Sequence, residues 1–398
     1  MEDVSMAKIK DEFPFLSKYD YWESTAVGPV MKSVIDTMVN YYQEIPFNYG
    51  VGTCEPAIKS LEKVDEARAY LAKLINAKKE EISLYPKNTT EALGMVIDGL
   101  DWKPGDEIIG CNTDHTSSYM PSIRLMNKKG VKFRMIKADE HGFVNLEEFK
   151  KRINPKTKLI VICHASNIYG SILEAREICA LAKENNSLSL IDAAQTIARL
   201  PVDVKDLGCD FLAICGRKHL CGPQGCSALF VREDRIGLLE PIFVGGGAAK
   251  ITGDFEYELF PGVGRFNAGI LNTSGAIGLG EAVKFWMNIG IDRVREHIKN
   301  MSIRIFEKLE KLDATIYSPK DMERQAGIIS FRLPTIHPDE LADTLEKEYK
   351  ILIRSGSPGS PVFKELGVDK INRLAPHYYT GDEEFERLFE AIENILKK

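Results

Sequence analysis

The chain has no apolar run approaching the ~18–20 residues that a membrane-spanning helix requires. Its start, Met1 to Glu12, is charged and has no apolar stretch ending in a small-residue cleavage site, so it does not read as a secretory signal. There is no basic excess: 52 Lys+Arg stand against 58 Asp+Glu, a net charge of −6, which argues against a nucleic-acid binder. None of the eight cysteines forms a Cys-x-x-Cys pair. The spacing of Cys209, Cys215, Cys221 and Cys226 fits no common zinc site, so no metal is expected. No Gly-x-Gly-x-x-Gly follows a strand pattern. Gly262-x-Gly264 is followed by Arg-Phe-Asn-Ala before Gly269, and Gly245-Gly246-Gly247 lacks the helix that should follow, which removes the dinucleotide-binding reading. Repeats and low-complexity tracts are absent too. These absences point to a cytoplasmic globular protein whose thiols are mostly small buried hydrophobes in a reducing compartment.

The chain has 398 residues, 44% of them apolar and 28% charged, enough for two to three domains at ~150 residues each. From about residue 80 to 232, short apolar runs alternate with amphipathic helical patterns. Strands are expected at Ile82–Tyr85, Glu107–Cys111, Val131–Ile136, Leu159–Cys163, Leu188–Ile191, Phe211–Ile214 and Ala228–Val231, with helices beginning near Asn88, Thr116 and Glu174. That alternation predicts an α/β domain with a mostly parallel sheet. Past residue 275 the texture changes. Helices are expected over Ser274–Asn288, Ile291–Lys311, Asp339–Tyr349 and Glu383–Lys397, with strands at Gly327–Leu333 and Ile351–Arg354, as in a smaller α+β domain. The division expected is residues 20–285 for the large domain, and 1–19 with 286–398 for the small one.

Ligands in open parallel sheets gather at the carboxyl ends of the strands. Several polar groups fall there. Asn88-Thr89-Thr90-Glu91 opens a helix and reads either as a capping box or as a phosphate site. Asp114-His115 follows one strand, and His164 with Asn167 another. Asp192 ends an apolar strand, where a carboxylate must be capped or paired. Lys218 follows the next, in Cys215-Gly216-Arg217-Lys218-His219, where repulsion among three basic side chains is expected to lower the lysine pKa. A lysine, a carboxylate and an anion site at one sheet edge suit pyridoxal phosphate.

At this point the chain resembles the class V aminotransferase family of fold-type I pyridoxal-phosphate enzymes, and within it the cysteine desulfurase, cystine lyase and isopenicillin-N epimerase branch. The motifs that carry the resemblance are Asn-Thr-Thr-Glu, Asp-His, His-Ala-Ser-Asn-Ile-Tyr-Gly, Asp-Ala-Ala-Gln, Gly-Arg-Lys-His and Arg-Leu-Ala-Pro-His-Tyr-Tyr-Thr, spread from Tyr21 to Leu396. The resemblance implies that Lys218 is the Schiff-base lysine and Asp192 the partner of the pyridine nitrogen. It also implies that His115 stacks on the ring, that Gln195 and Asn167 serve the phenolic edge, and that Thr89 and Thr90 serve the phosphate. Arg373 matches the arginine that receives the substrate carboxylate, and Arg354 a second substrate-side arginine. A homodimer with active sites at its interface is likewise implied.

The departures narrow the reading. Where desulfurases read Ser-Gly-His-Lys, this chain reads Cys215-Gly216-Arg217-Lys218, so Arg217 and Cys215 are the expected phosphate neighbours. The threonine that relatives lend from the second subunit falls on Ile270. Thr273 and Asn272 are the alternatives, and the sequence leaves the choice open. The desulfurase nucleophile falls on Gly359 in Arg354-Ser355-Gly356-Ser357-Pro358-Gly359, and no cysteine follows Cys226. Cys54 is the one proposed substitute. Two functions are therefore carried forward. One is a C–S lyase acting by β-elimination on a cysteine- or cystine-type substrate. The other is an aminotransferase or amino-acid epimerase using the same Lys218, for which Arg265 and Arg354 are candidate second carboxylate receptors.

Overall fold

The computed structural model describes residues 6–47, 50, 52–356 and 361–397. An N-terminal helix, Met6–Asp11, precedes a short strand β1 (Asp20–Tyr21). The main sheet contains β2 (Ile82–Ser83), β3 (Glu107–Cys111), β4 (Lys132–Ile136), β5 (Thr157–Cys163), β6 (Leu188–Asp192), β7 (Phe211–Cys215) and β8 (Ser227–Val231). Its spatial order is β2-β8-β7-β6-β5-β3-β4. The five strands β4, β3, β5, β6 and β7 run parallel, while β8 is antiparallel to both β7 and β2.

The apolar runs explain this sheet. A strand buried on both faces must be apolar at successive positions, not alternate ones. In β5, Ile160 and Ile162 enter one core while Leu159 and Val161 enter the other. In β7, Leu212 and Ile214 face the first core and Phe211 and Ala213 the second. Each intervening helix presents one apolar stripe. In Ala175–Glu184, for example, Ala175, Ile178, Cys179 and Ala182 are buried, at the i, i+3, i+4, i+7 spacing.

A hairpin, β9 (Ala249–Gly253) and β10 (Glu256–Leu259), follows the main sheet. Beyond the long helices Thr273–Ile289 and Ile291–Lys311 come β11 (Thr315–Ile316), β12 (Ile329–Arg332), β13 (Ile351–Leu352), β14 (Arg354–Gly356) and β15 (Ile371–Leu374). The second sheet has the order β11-β12-β15-β14 and is antiparallel throughout. Its core joins Phe331 and Leu374 to Ile305 and Leu309 of one helix and to Leu388, Phe389 and Ile392 of the C-terminal helix Asp382–Leu396.

The strand expected at Ile351–Arg354 divides in two. β13 pairs in parallel with β1, whereas β14 pairs with β15, so the chain changes partner at Ile353. The helix expected over Asp339–Tyr349 also changes form, running α-helical from Pro338 to Thr344 and closing in a π turn over Leu345–Tyr349. Near the N-terminus, Ile9 and Phe13 are buried in the first core, and Phe13 lies against Phe285, Trp286 and Tyr379. Lys10 meanwhile pairs with Glu384 at 2.6 Å.

Candidate active site

Four neighbouring parallel strands end at one sheet edge, and each delivers a polar side chain there. β3 leads to Asp114 and His115, β5 to Asn167, β6 to Asp192 and Gln195, and β7 to Cys215, Arg217 and Lys218. Asp192 is the last residue of β6, with its Cα opposite Cys163 and Ala213. It is buried, and one oxygen accepts the Ala194 N–H at 2.9 Å. Lys218 is buried too, and among the described residues no hydrogen bond holds its amine.

His115 caps the helix Thr116–Lys129. Its Nδ1 accepts the Ser117 N–H at 3.1 Å and lies 2.7 Å from the Ser117 hydroxyl. That hydroxyl is 2.7 Å from the Thr90 hydroxyl, so one chain of bonds links the start of the Thr89–Gly99 helix to the imidazole. Burial, the nearby Lys218 and, to a lesser extent, Arg217 and Arg373 depress the His115 pKa, with Asp192 opposing. The ring is therefore neutral at pH 7. Asp114 ties β3 to β5 from beneath, accepting the N–H of Cys111 at 2.7 Å and of Cys163 at 2.8 Å. Burial pushes its carboxyl up to about 7.

At the helix start, the Asn88 side chain accepts the Glu91 N–H at 2.9 Å, so the capping role is real. The anion role has its own support. Among the described residues the buried Thr89 hydroxyl has no hydrogen-bond partner, and it lies at the first turn of the helix, where backbone amides lack intrahelical acceptors. Arg217 is half-buried and donates to the Ala26 carbonyl. An orphaned hydroxyl, open helix amides, an unbonded buried lysine and a strand-end carboxylate fit the phosphate, aldehyde and pyridine nitrogen of pyridoxal phosphate.

The expectation of three repelling basic groups needs correction. His219 is fully buried and held neutral by burial and by Arg199, and its Nε2 meets Gln195 at 2.8 Å. Only Arg217 remains as a charged sequence neighbour of Lys218.

The two arginines expected on the substrate side come from the second sheet. Arg354 and Arg373 are directly opposed across β14 and β15, so their side chains leave the same face. Arg373 is buried and donates through Nη1 to the Asn167 carbonyl at 2.5 Å, while its Nε has no partner. Burial pushes its pKa down to about 10, with Glu23 opposing. Glu23 was not anticipated. It is carried beside Ala375 by the chain leaving β1, and its carboxylate lies 3.8 Å from Arg354. An acidic residue in the otherwise uncharged run Tyr21-Trp22-Glu23-Ser24-Thr25-Ala26-Val27 was the signal available. Arg265 donates instead to the carbonyls of Ile236 and Leu239, apart from this group.

Other anticipated residues lie outside the cluster. Thr273 is buried at the first turn of its helix and donates to the Leu271 carbonyl at 3.3 Å, whereas Ile270 nearby is 73% exposed. His164 is buried against Thr196, with its pKa pushed down to about 4, a structural role. Cys54 is exposed at the start of the Glu55–Leu74 helix, and the other seven cysteines are buried. The segment holding Gly359 lies outside the described residues.

Sheet order, lysine, carboxylate and anion site together define a fold-type I pyridoxal-phosphate enzyme. The family model for aminotransferase class-V matches residues 20–388, and the chain belongs to that family. A probable cysteine desulfurase of Pyrococcus abyssi is 34% identical over 392 residues, covering 98% of this chain and 97% of the relative. The apo structure of a cysteine desulfurase from Thermococcus onnurineus is 33% identical, with full coverage of both chains and a TM-score of 0.96. Two structures of C-DES, a cystine C–S lyase, share the fold at a TM-score of 0.84 and 22–23% identity, covering 95% of this chain and 97–98% of theirs. One of them carries glycine linked to its PLP cofactor, and the other the product cysteine persulfide. The cofactor of the present chain is pyridoxal 5′-phosphate.

Proposed function

We propose that the protein is a cysteine desulfurase-like C–S lyase, eliminating a sulfur leaving group from a cysteine- or cystine-type amino acid. The observation that carries this reading is the lack of a suitable thiol. Glycine occupies the nucleophile's place in the C-terminal loop, and every cysteine except Cys54 is buried. Burial raises the thiol pKa of Cys111, Cys163, Cys179, Cys209, Cys221 and Cys226, to about 12 for Cys179 and Cys226, which withholds the thiolate that sulfur transfer needs. Elimination needs no enzyme thiol.

Pyridoxal phosphate, when bound, supplies the electron sink for bond breaking at Cα. Lys218 is read as the residue that holds the aldehyde and moves the proton at Cα. With the cofactor bound, Asp192 would pair with the pyridine nitrogen, the neutral His115 ring would lie over the cofactor ring, and Gln195 and Asn167 would serve the phenolic edge. Thr89, Thr90, Arg217 and the wall at Cys215 receive the phosphate. Arg373 takes the substrate carboxylate through its unpartnered Nε edge, and Arg354 sits at the mouth. The sulfur leaves as a thiolate or persulfide, and the released enamine hydrolyses to pyruvate and ammonia.

The aminotransferase reading is favoured by one feature, the opposed pair Arg354 and Arg373, which could receive a dicarboxylate. Glu23 beside Arg354 weakens it. The test is to supply reconstituted protein with L-cystine or L-cysteine, without a keto acid, and to quantify pyruvate and alanine, with Lys218→Ala as control. Lys218-dependent pyruvate supports elimination. Alanine with sulfane sulfur refutes it.

A homodimer is part of the same reading. Phe255 and Ile251 on the β9–β10 hairpin are 100% and 86% exposed, with Phe243 and Ile270 also projecting, an apolar set suited to a second copy. A cytoplasmic site of action fits eight unpaired thiols. Among the described residues, no helix is long and apolar enough to cross a membrane.

A further inference from the structure

Gln195 sits three residues beyond the end of β6, and its amide can face the cofactor with either end. A nitrogen there donates to the phenolic oxygen, whereas an oxygen there repels it. The surrounding bonds fix which end it is. Arg199 is fully buried, and its five hydrogen bonds all go to neutral acceptors. They are the carbonyls of Ala326 at 2.8 Å, Gly327 at 2.7 Å and Pro376 at 2.9 Å, the Ser24 hydroxyl at 3.4 Å, and His219 Nδ1 at 3.3 Å. A guanidinium can only donate, so His219 Nδ1 must be the acceptor. The hydrogen of the neutral imidazole then lies on Nε2, which donates to Gln195 Oε1 at 2.8 Å. With its oxygen taken, Gln195 turns its nitrogen to the Thr25 carbonyl at 3.1 Å, which uses one N–H and leaves the second uncommitted among the described residues.

We propose that Arg199 and His219 are positioning residues that lock Gln195 as a hydrogen-bond donor toward the cofactor's phenolic oxygen. The hydrogen-bond chain runs one way. A fixed cation sets a tautomer, the tautomer sets an amide, and the amide sets the polarity met by the cofactor. The titratable groups facing His219 are Arg199, His377 and Lys218. Of these, His377 is also neutral, and its Nε2 is bonded to the His219 carbonyl at 3.0 Å. The proposal rests on the reading that Gln195 serves the phenolic edge.

The test is a visible-absorbance pH titration of the holoenzyme. A donor to the phenolic oxygen favours the deprotonated chromophore, in which that oxygen bears the full negative charge. Losing a hydrogen bond to a charged group raises the midpoint by on the order of one unit. Gln195→Leu should give that rise. His219→Leu should give at least the same, because the freed amide can present its oxygen. His219→Gln can still accept from Arg199 and donate to Gln195, so it should return the midpoint to the wild-type value. If Gln195→Leu shifts the midpoint and His219→Leu does not, the proposal is overturned. If Gln195→Leu itself does not shift, the placement of Gln195 is wrong and the proposal falls with it. Should His219→Leu fail to fold, histidine ¹⁵N resonances of the wild-type protein decide. A neutral Nε2–H tautomer from pH 6 to 8 supports the lock, and an Nδ1–H tautomer or a protonated ring in that range refutes it.

Discussion

Replacing Arg373 by alanine is the most direct test of the substrate side. The guanidinium is buried, its Nη1 is committed to the Asn167 carbonyl, and its Nε has no partner. The edge formed by Nε and Nη2 is therefore available for a carboxylate, with two parallel charge-assisted bonds. Such bonds contribute about 1.5–3 kcal/mol each, and water in the vacated space returns part of that. A net loss of about 3 kcal/mol corresponds to roughly a hundredfold fall in kcat/KM. Arg373→Lys keeps a charge without the fork and should lose about tenfold. Arg354→Ala should lose only a few-fold, since that side chain is 48% exposed and paired to Glu23. The assay is pyruvate release from L-cystine, coupled to lactate dehydrogenase, on protein whose visible spectrum shows full cofactor loading. An Arg373→Ala enzyme within fivefold of wild type would refute the carboxylate clamp.

Other perturbations separate the remaining roles. Ser117→Ala cuts the Thr90–Ser117–His115 chain and should weaken cofactor affinity about fivefold, for the loss of ~1 kcal/mol, measured by fluorescence titration. Gly28→Ala places a methyl against the Lys218 carbonyl, so the lysine loop must shift, and cofactor occupancy in purified protein should fall by more than half. Burial raises the folded-state pKa of Asp114 to about 7, well above the ordinary carboxylate range. The unfolded chain thus ionises first, and this group's support for the fold is complete below about pH 4 and lost progressively as pH rises to about 7. Asp114→Asn should flatten that part of the pH–stability curve in urea denaturation, while lowering stability overall because one of two N–H acceptors is gone. Cys54→Ser should leave pyruvate formation unchanged; alanine with sulfane sulfur that disappears in Cys54→Ser would make Cys54 a sulfur carrier.

The main sheet was legible because strands buried on both faces are continuous apolar runs, and their polar residues could only stand at the ends. Asp192 and Lys218 could be picked out for that reason, on adjacent strands of one edge. The hairpin Ala249–Leu259 was not legible, because its residues are largely exposed and carry no burial pattern. Nor was β15, where the run Ile371-Asn372-Arg373-Leu374 buries an asparagine and an arginine that only tertiary bonds satisfy. His219 was read as a charge because its sequence neighbours are basic. Its actual state depends on Arg199, twenty positions away, and no local pattern encodes that contact.

The overall charge is also a poor guide to this site. The chain is acidic, yet Arg217, Arg354 and Arg373 gather near the strand-end cluster, with Arg199 buried behind His219 and Gln195. Of the carboxylates nearby, burial holds Glu23 and Asp114 toward the neutral form. Burial lowers Arg199 only to about 9 and Arg373 to about 10, so both stay protonated at pH 7. These fixed cations sit in a chain whose net charge is −6. That combination selects by size as well as sign. A small phosphate monoester and an amino-acid carboxylate reach fixed, partly desolvated donors, whereas a nucleic-acid backbone is opposed by the net negative charge. Once a phosphate is seated at Arg217, Arg373 and Arg354 would be the arginines left for a substrate carboxylate. Raising ionic strength should therefore slow cofactor association to the apoprotein more than it raises KM for substrate.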